Sequence, residues 1–277
     1  MEQPAERSDA IEIGGRRYAW RSVGEGAPLL LFNGYSGAAA GWDPGFLAAL
    51  GQSFELVCPD NRGMGGSQLG ELDGPLTIDA MAADVEALLD ARGIERLPVA
   101  GWSMGGFVAQ ALATRAPDRV EALVLISTNP GGSAAVPGDP GDFARLVDHS
   151  GTPREQASRL IALVFPPDVA PEMDRIAGEV VAEARAELSP PTLRAQQEAM
   201  AAWIAMDQPS PATGPGPALP VLAVCGDEDV VIPPENSERL ADRWPGCRVE
   251  RFAGGGHAFM AQEPQRLAEL IVSFLRE

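Results

Sequence analysis

Lysine is absent from the 277 residues. All 21 basic side chains are arginine, set against 39 acidic ones, for a formal net charge of −18. A surface this acidic repels phosphate backbones and anionic headgroups, so neither nucleic acid nor membrane is expected as a partner. Histidine is scarce as well: His149 and His257 are the only two. The three cysteines, Cys58, Cys225 and Cys247, are odd in number and lack metal-type spacing. Cys58 and Cys225 sit in apolar runs and read as small core residues. No metal and no cofactor is expected. The first residues, MEQPAERSDA, lack a basic region followed by an apolar one, so no signal peptide is read. No run is long and apolar enough to span a bilayer. The expectation is a soluble, cytoplasmic protein. With 45% hydrophobic residues, wholesale disorder is excluded.

What is present is a strand–helix alternation. Ile11–Gly24 alternates and turns at Gly14-Gly15, which predicts an N-terminal hairpin. Pro28–Gly34 (PLLLFNG) and Phe54–Asp60 (FELVCPD) are short continuous apolar runs, as in strands buried on both faces. Thr77–Gly93 places Ile78, Met81, Val85, Leu88 and Leu89 at helical spacing, with Thr77 as cap and Gly93 as stop. RLPVAGW and VEALVLIST predict two more buried strands around a helix that starts near Met104. LPVLAVCGD and CRVERFAG close the series, and PQRLAELIVSFLRE is a C-terminal amphipathic helix. The implied fold class is α/β: a mostly parallel central sheet with helices on both faces. Residues 129–218 interrupt the alternation. Pro/Gly-rich stretches bound this piece, NPGGSAAVPGDPG and QPSPATGPGPA, and three helical patterns lie between them: Arg154–Phe165, Glu172–Leu188 and Pro191–Met206. Residues 1–128 and 219–277 are thus expected to form the core domain, and 129–218 a helical insertion between strands.

Chemistry concentrates at four places. Gly101-Trp102-Ser103-Met104-Gly105 fits G-x-S-x-G between a buried strand and an apolar helix. A serine on such a turn stands at a helix N-terminus, where backbone N–H groups favour developing negative charge. The alternative is a glycine-rich turn with an incidental serine. His257, in the loop FAGGGHAFM after the last strand, is the one histidine at a strand end and hence the candidate base. His149 lies inside the insertion, away from strand ends, and reads as an ordinary loop histidine. Asp227, Glu228 and Asp229 end the penultimate strand, where an acid is needed to orient the imidazole. Any of the three could instead cap the following helix. An oxyanion hole needs two N–H donors, and the first is expected from Met104, directly after the serine.

Four segments, LLLFNGYSGAAAGW, PDNRGMGGS, GWSMGG and CGDEDVVIPPE…GGGHAFMAQEP, make the chain resemble the α/β-hydrolase fold family over nearly its whole length. The resemblance implies a catalytic set of Ser103, Asp229 and His257, with Asp227 structural, and a second oxyanion donor in the backbone of Tyr35. It makes the 129–218 insertion a cap over the active site. The family commonly carries His-Gly where this chain has Asn33-Gly34; that histidine supports the loop, and an asparagine amide can do the same. Arg62, in the D-x-R-G turn, reads as structural. Trp102, Asn33, Met200 and Trp203 are the candidate pocket residues.

The function implied is a serine hydrolase that cleaves an ester, lactone or thioester of a small to medium apolar substrate. No basic cluster points to a phosphorylated or coenzyme A substrate. The serine argues against haloalkane dehalogenases and epoxide hydrolases, which use an aspartate there. Two alternatives stay open. The same triad could serve C–C bond hydrolysis, perhydrolysis or an acyl-transfer or cyclisation step; or the protein could be a slow, ligand-retaining binder. The partner expected is a small molecule. The sequence leaves the oligomeric state open.

Overall fold

The computed structural model describes residues 5–71, 74–206 and 218–277. Eight strands form one sheet: β1 (Glu6–Ile13), β2 (Arg16–Val23), β3 (Pro28–Phe32), β4 (Glu55–Pro59), β5 (Leu97–Trp102), β6 (Val120–Ile126), β7 (Val221–Gly226) and β8 (Arg248–Phe252). Their order is β1-β2-β4-β3-β5-β6-β7-β8. β1 and β2 form the predicted hairpin, with Ile13 facing Arg16, and β2 runs antiparallel to β4. Every other pair is parallel. β5, which carries the G-x-S-x-G turn, is a central strand between β3 and β6.

Parallel strands covered on both faces explain the unbroken apolar runs. Successive side chains of β3 go to opposite layers. Leu30 and Phe32 join one core with Val57, Val99 and Leu123, and Leu29 and Leu31 join the other with Leu56, Ala100 and Val124. The helices that fill the two layers are α1 (Pro44–Leu50), α2 (Ile78–Ala91), α3 (Met104–Arg115), α4 (Pro140–Leu146), α5 (Pro153–Val164), α6 (Ala170–Ala186), α7 (Pro190–Ile204), α8 (Asn236–Arg243) and α9 (Pro264–Phe274). Thr77 caps α2 by accepting from Ala80 N–H at 3.0 Å, as its position before the apolar repeat predicts. Leu267, Ala268 and Ile271 of α9 pack into the same layer as α1.

The insertion between β6 and β7 holds four helices among the described residues, not three. The additional one, α4, leaves no sequence signal because its seven residues carry too few apolar side chains to show a period, and Pro/Gly-rich chain flanks it. Asp139 caps it through Gly141 N–H. α1 is equally short and equally silent in the sequence. Nearly all of the second Pro/Gly linker of the insertion lies outside the described residues, within positions 207–217, as do positions 1–4.

One buried ionic cluster ties the hairpin to the turn after β4. Asp84 on α2 accepts from Arg62 Nε and Nη2, both at 2.6 Å, and from Arg16 Nη2 at 2.8 Å. Its single carboxylate is shared by two guanidinium groups that are both largely shielded from water. Arg62 therefore serves the loop rather than a ligand.

Candidate active site

Ser103 lies at the junction of β5 and α3 with φ +56° and ψ −122°, a strained conformation for a non-glycine residue. The glycines around it are required by space. A Cβ on Gly101 would collide with the Gly105 carbonyl, and one on Gly105 would meet the backbone of Phe32 and Asn33. On Gly106 it would strike Thr128, 2.6 Å from its Cβ. The turn is held in place by its own backbone. Ser103 N–H donates to Ile126 O at 2.9 Å, and Thr128 Oγ1 donates to Ser103 O at 2.8 Å. Strain persists only where surroundings fix it from several sides, and here they do.

His257 is buried in the loop after β8. Its Nδ1 lies 2.8 Å from Asp229 Oδ2, and Asp229 Oδ1 accepts from the Val231 and Ile232 N–H groups at 2.9 Å each. A carboxylate only accepts, so Nδ1 carries a proton, and the neutral tautomer that this contact selects is the one with Nε2 free to accept. Asp229 is the buried member of the three acids after β7; Asp227 and Glu228 are exposed. Asp227 braces the loop by accepting from Gly254 N–H at 2.7 Å. Trp102, next to Ser103, donates from Nε1 to His257 O at 2.9 Å and packs against its ring at 5.3 Å between centroids. Gln262 Oε1 receives Gly256 N–H, and Ala258 N–H bonds to Val164 O at the end of α5. The histidine loop is thus fixed by both core and insertion.

The loop after β3 passes over the serine: a Cβ on Gly34 would stand 3.2 Å from Ser103 Cβ. Asn33 braces this loop, accepting Gly34 N–H at 2.7 Å and donating to Ala38 O at 2.9 Å. Asn61 donates to the carbonyls of both Asn33 and Gly34. Tyr35 and Met104 share one apolar cluster with Met200 and Trp203 of α7. Trp203 stacks on Phe107 at 5.5 Å and 16°.

Several polar residues that sequence reasoning did not assign come from the insertion. Gln196, fully buried, accepts Ser36 N–H at 3.0 Å and donates to Arg62 O at 3.2 Å. Gln197 and His149 both reach the Tyr35 hydroxyl, at 2.6 and 2.8 Å. Arg185 reaches His149 Nδ1 at 2.8 Å and Ser36 Oγ at 3.4 Å. His149 is therefore a half-buried member of a network, not an ordinary loop histidine. Burial, seconded by the Arg185 charge, lowers its pKa to about 4, and burial raises that of Tyr35. The one signal in the sequence was the pair Gln196-Gln197 within an otherwise apolar face. Among the described residues, no group of three or more His, Cys, Asp or Glu is placed to hold a metal ion, and no helix is long and apolar enough to cross a membrane.

Residues 27–264 match the model of the alpha/beta hydrolase fold. The chain belongs to the α/β-hydrolase fold family. A Caulobacter segnis protein, provisionally named as a carbamate hydrolase, is 30% identical over 270 residues, spanning 95% of each chain. A thermophilic esterase from Thermogutta terrifontis matches with TM-score 0.77 and 26% identity over 98% of each chain. The enol-lactonase of Burkholderia xenovorans LB400 shares the fold, with TM-score 0.82 and 24% identity over 97% of this chain and 100% of that one. The fold carries a helical cap inserted between the core strands β6 and β7.

Proposed function

We propose that Ser103, His257 and Asp229 hydrolyse a small to medium, largely apolar ester, lactone or thioester through an acyl-enzyme. The observation that carries this reading is the Asp229–His257 pair, on a loop pinned by the neighbour of a strained serine. Ser103 Oγ adds to the carbonyl carbon while His257 Nε2 takes its proton. The oxyanion is held by the Met104 and Tyr35 N–H groups. Collapse breaks the bond to the leaving group, which takes the proton from His257. Water, deprotonated by the same nitrogen, then releases the acid. Residues 129–218 act as the cap that closes the pocket, with Met200 and Trp102 as its apolar lining.

A panel of p-nitrophenyl esters, lactones and thioesters tests the reading, with Ser103→Ala as control. Turnover is expected for short acyl chains, with a loss of roughly a thousandfold or more in Ser103→Ala. Turnover surviving in that variant overturns the mechanism. Silence across the panel overturns the ester, lactone and thioester assignment and moves the same site to C–C cleavage or acyl transfer.

A further inference from the structure

The hydrogen positions around Tyr35 follow from the donors that face it. A guanidinium has no acceptor, so Arg185 Nη2 donates to His149 Nδ1 and that nitrogen is bare. The single ring proton of neutral His149 then sits on Nε2 and donates to the Tyr35 oxygen at 2.8 Å. Gln197 Nε2 donates to the same oxygen at 2.6 Å. A phenol oxygen has two acceptor positions, and both are taken. The Tyr35 proton itself has no acceptor among the described residues.

Behind this chain stands a buried cation with no carboxylate in direct contact and Asp148 as its acidic neighbour at longer range. Arg185 is 7% exposed, forms no ion pair with a carboxylate among the described residues, and its Nε has no hydrogen-bond partner. A buried charge that no carboxylate touches polarises the groups bonded to it. The polarisation runs Arg185 to His149 to Tyr35, each donating to the next, and strengthens the last donor in the row. The Tyr35 hydroxyl belongs to the same residue as the backbone N–H assigned to the oxyanion.

We propose that the Tyr35 hydroxyl is a specificity-determining donor, which selects substrates bearing an acceptor oxygen one tyrosine side chain away from the scissile carbonyl. The proposal rests on the assignment of Ser103 as nucleophile and Tyr35 N–H as oxyanion donor. It narrows the substrate class from apolar esters in general to those with one ether, oxo or carboxylate oxygen at a defined place in the acyl chain. His149 and Arg185 are positioning residues that act through Tyr35.

The test uses p-nitrophenyl hexanoate and three analogues in which the methylene at carbon 3, 4 or 5 is replaced by oxygen. The ratio of kcat/KM for each analogue to that for hexanoate is compared between wild type and Tyr35→Phe, so intrinsic ester reactivity cancels. At one position the ratio is expected to fall by about tenfold in Tyr35→Phe, the value of one buried hydrogen bond. His149→Gln should lower the ratio at the same position, which also serves if Tyr35→Phe does not fold. Ratios unchanged at every position in the folded variants overturn the proposal. So does a ring 15N spectrum that places the His149 proton on Nδ1. A reversed Gln197 amide would take the phenol proton on its own oxygen, and unchanged ratios would report that. Fluorophosphonate labelling of wild type separates the two levels: without labelling the nucleophile assignment fails, and with labelling but unchanged ratios only the Tyr35 proposal fails.

Discussion

Replacing Asp229 by asparagine keeps the shape of the site and changes one atom, and the structure dictates which. Asp229 Oδ1 accepts from two backbone N–H groups at 2.9 Å, and Oδ2 faces His257 Nδ1 at 2.8 Å. The amide oxygen of Asn must take the Oδ1 position, because an NH2 group cannot face two N–H donors. The NH2 then points at Nδ1, which has to accept. The ring proton moves to Nε2, the atom that must receive the serine proton, and the base is blocked. Restoring the working tautomer breaks that bond and sets two N–H groups against each other, about 2–3 kcal/mol. The imidazolium formed during attack also loses a charged hydrogen bond, a further ~2 kcal/mol. Together, about 4–5 kcal/mol corresponds to a drop of roughly 10³–10⁴ in kcat/KM. The assay is hydrolysis of a p-nitrophenyl ester at about pH 7.5, above the ordinary histidine range, with circular dichroism to show that the variant is folded. A folded Asp229→Asn variant within about tenfold of wild type refutes the orienting role.

Two further outcomes concern stability. Asp84→Ala removes the carboxylate shared by Arg16 and Arg62 and leaves two buried cations unpaired, so unfolding in urea should show a loss of about 3–5 kcal/mol; a loss under ~1 kcal/mol contradicts the burial argument. The folded pKa of His149, about 4, lies below the ordinary value of 6.5, with Arg185, Arg159 and Asp148 as its charged neighbours. The unfolded chain therefore binds the proton more readily across that window. Stability from this group is complete above about pH 6.5 and declines as pH falls toward about 4. The melting temperature of wild type should accordingly fall more between about pH 7 and about pH 4.5 than that of His149→Gln, and equal falls would contradict the sign.

The strands were readable because each buried run is continuous and bounded by glycine, proline or aspartate. The Ser103 turn was readable because only small residues fit where β5, α3 and the Phe32–Asn33 backbone converge. The cluster Asp227-Glu228-Asp229 was visible as a set. Composition and spacing left all three open and the family resemblance pointed to Asp229; in the fold Asp229 is the buried one, accepting from the Val231 and Ile232 N–H groups. The short helices α1 and α4 left no period to detect. Least legible were the contacts between cap and core. Tyr35 and His149 are 114 positions apart, and Ser36 and Gln196 are 160 apart. No local pattern encodes such a pairing, so the partners of Tyr35 emerge only from the fold.

The most direct measurement of the central claim is the site and rate of covalent labelling by a fluorophosphonate, read by intact mass and peptide mapping. The account predicts one adduct per chain, on Ser103, absent in Ser103→Ala and slowed by roughly a hundredfold or more in His257→Ala. No adduct on the folded protein, or an adduct on another residue, contradicts it.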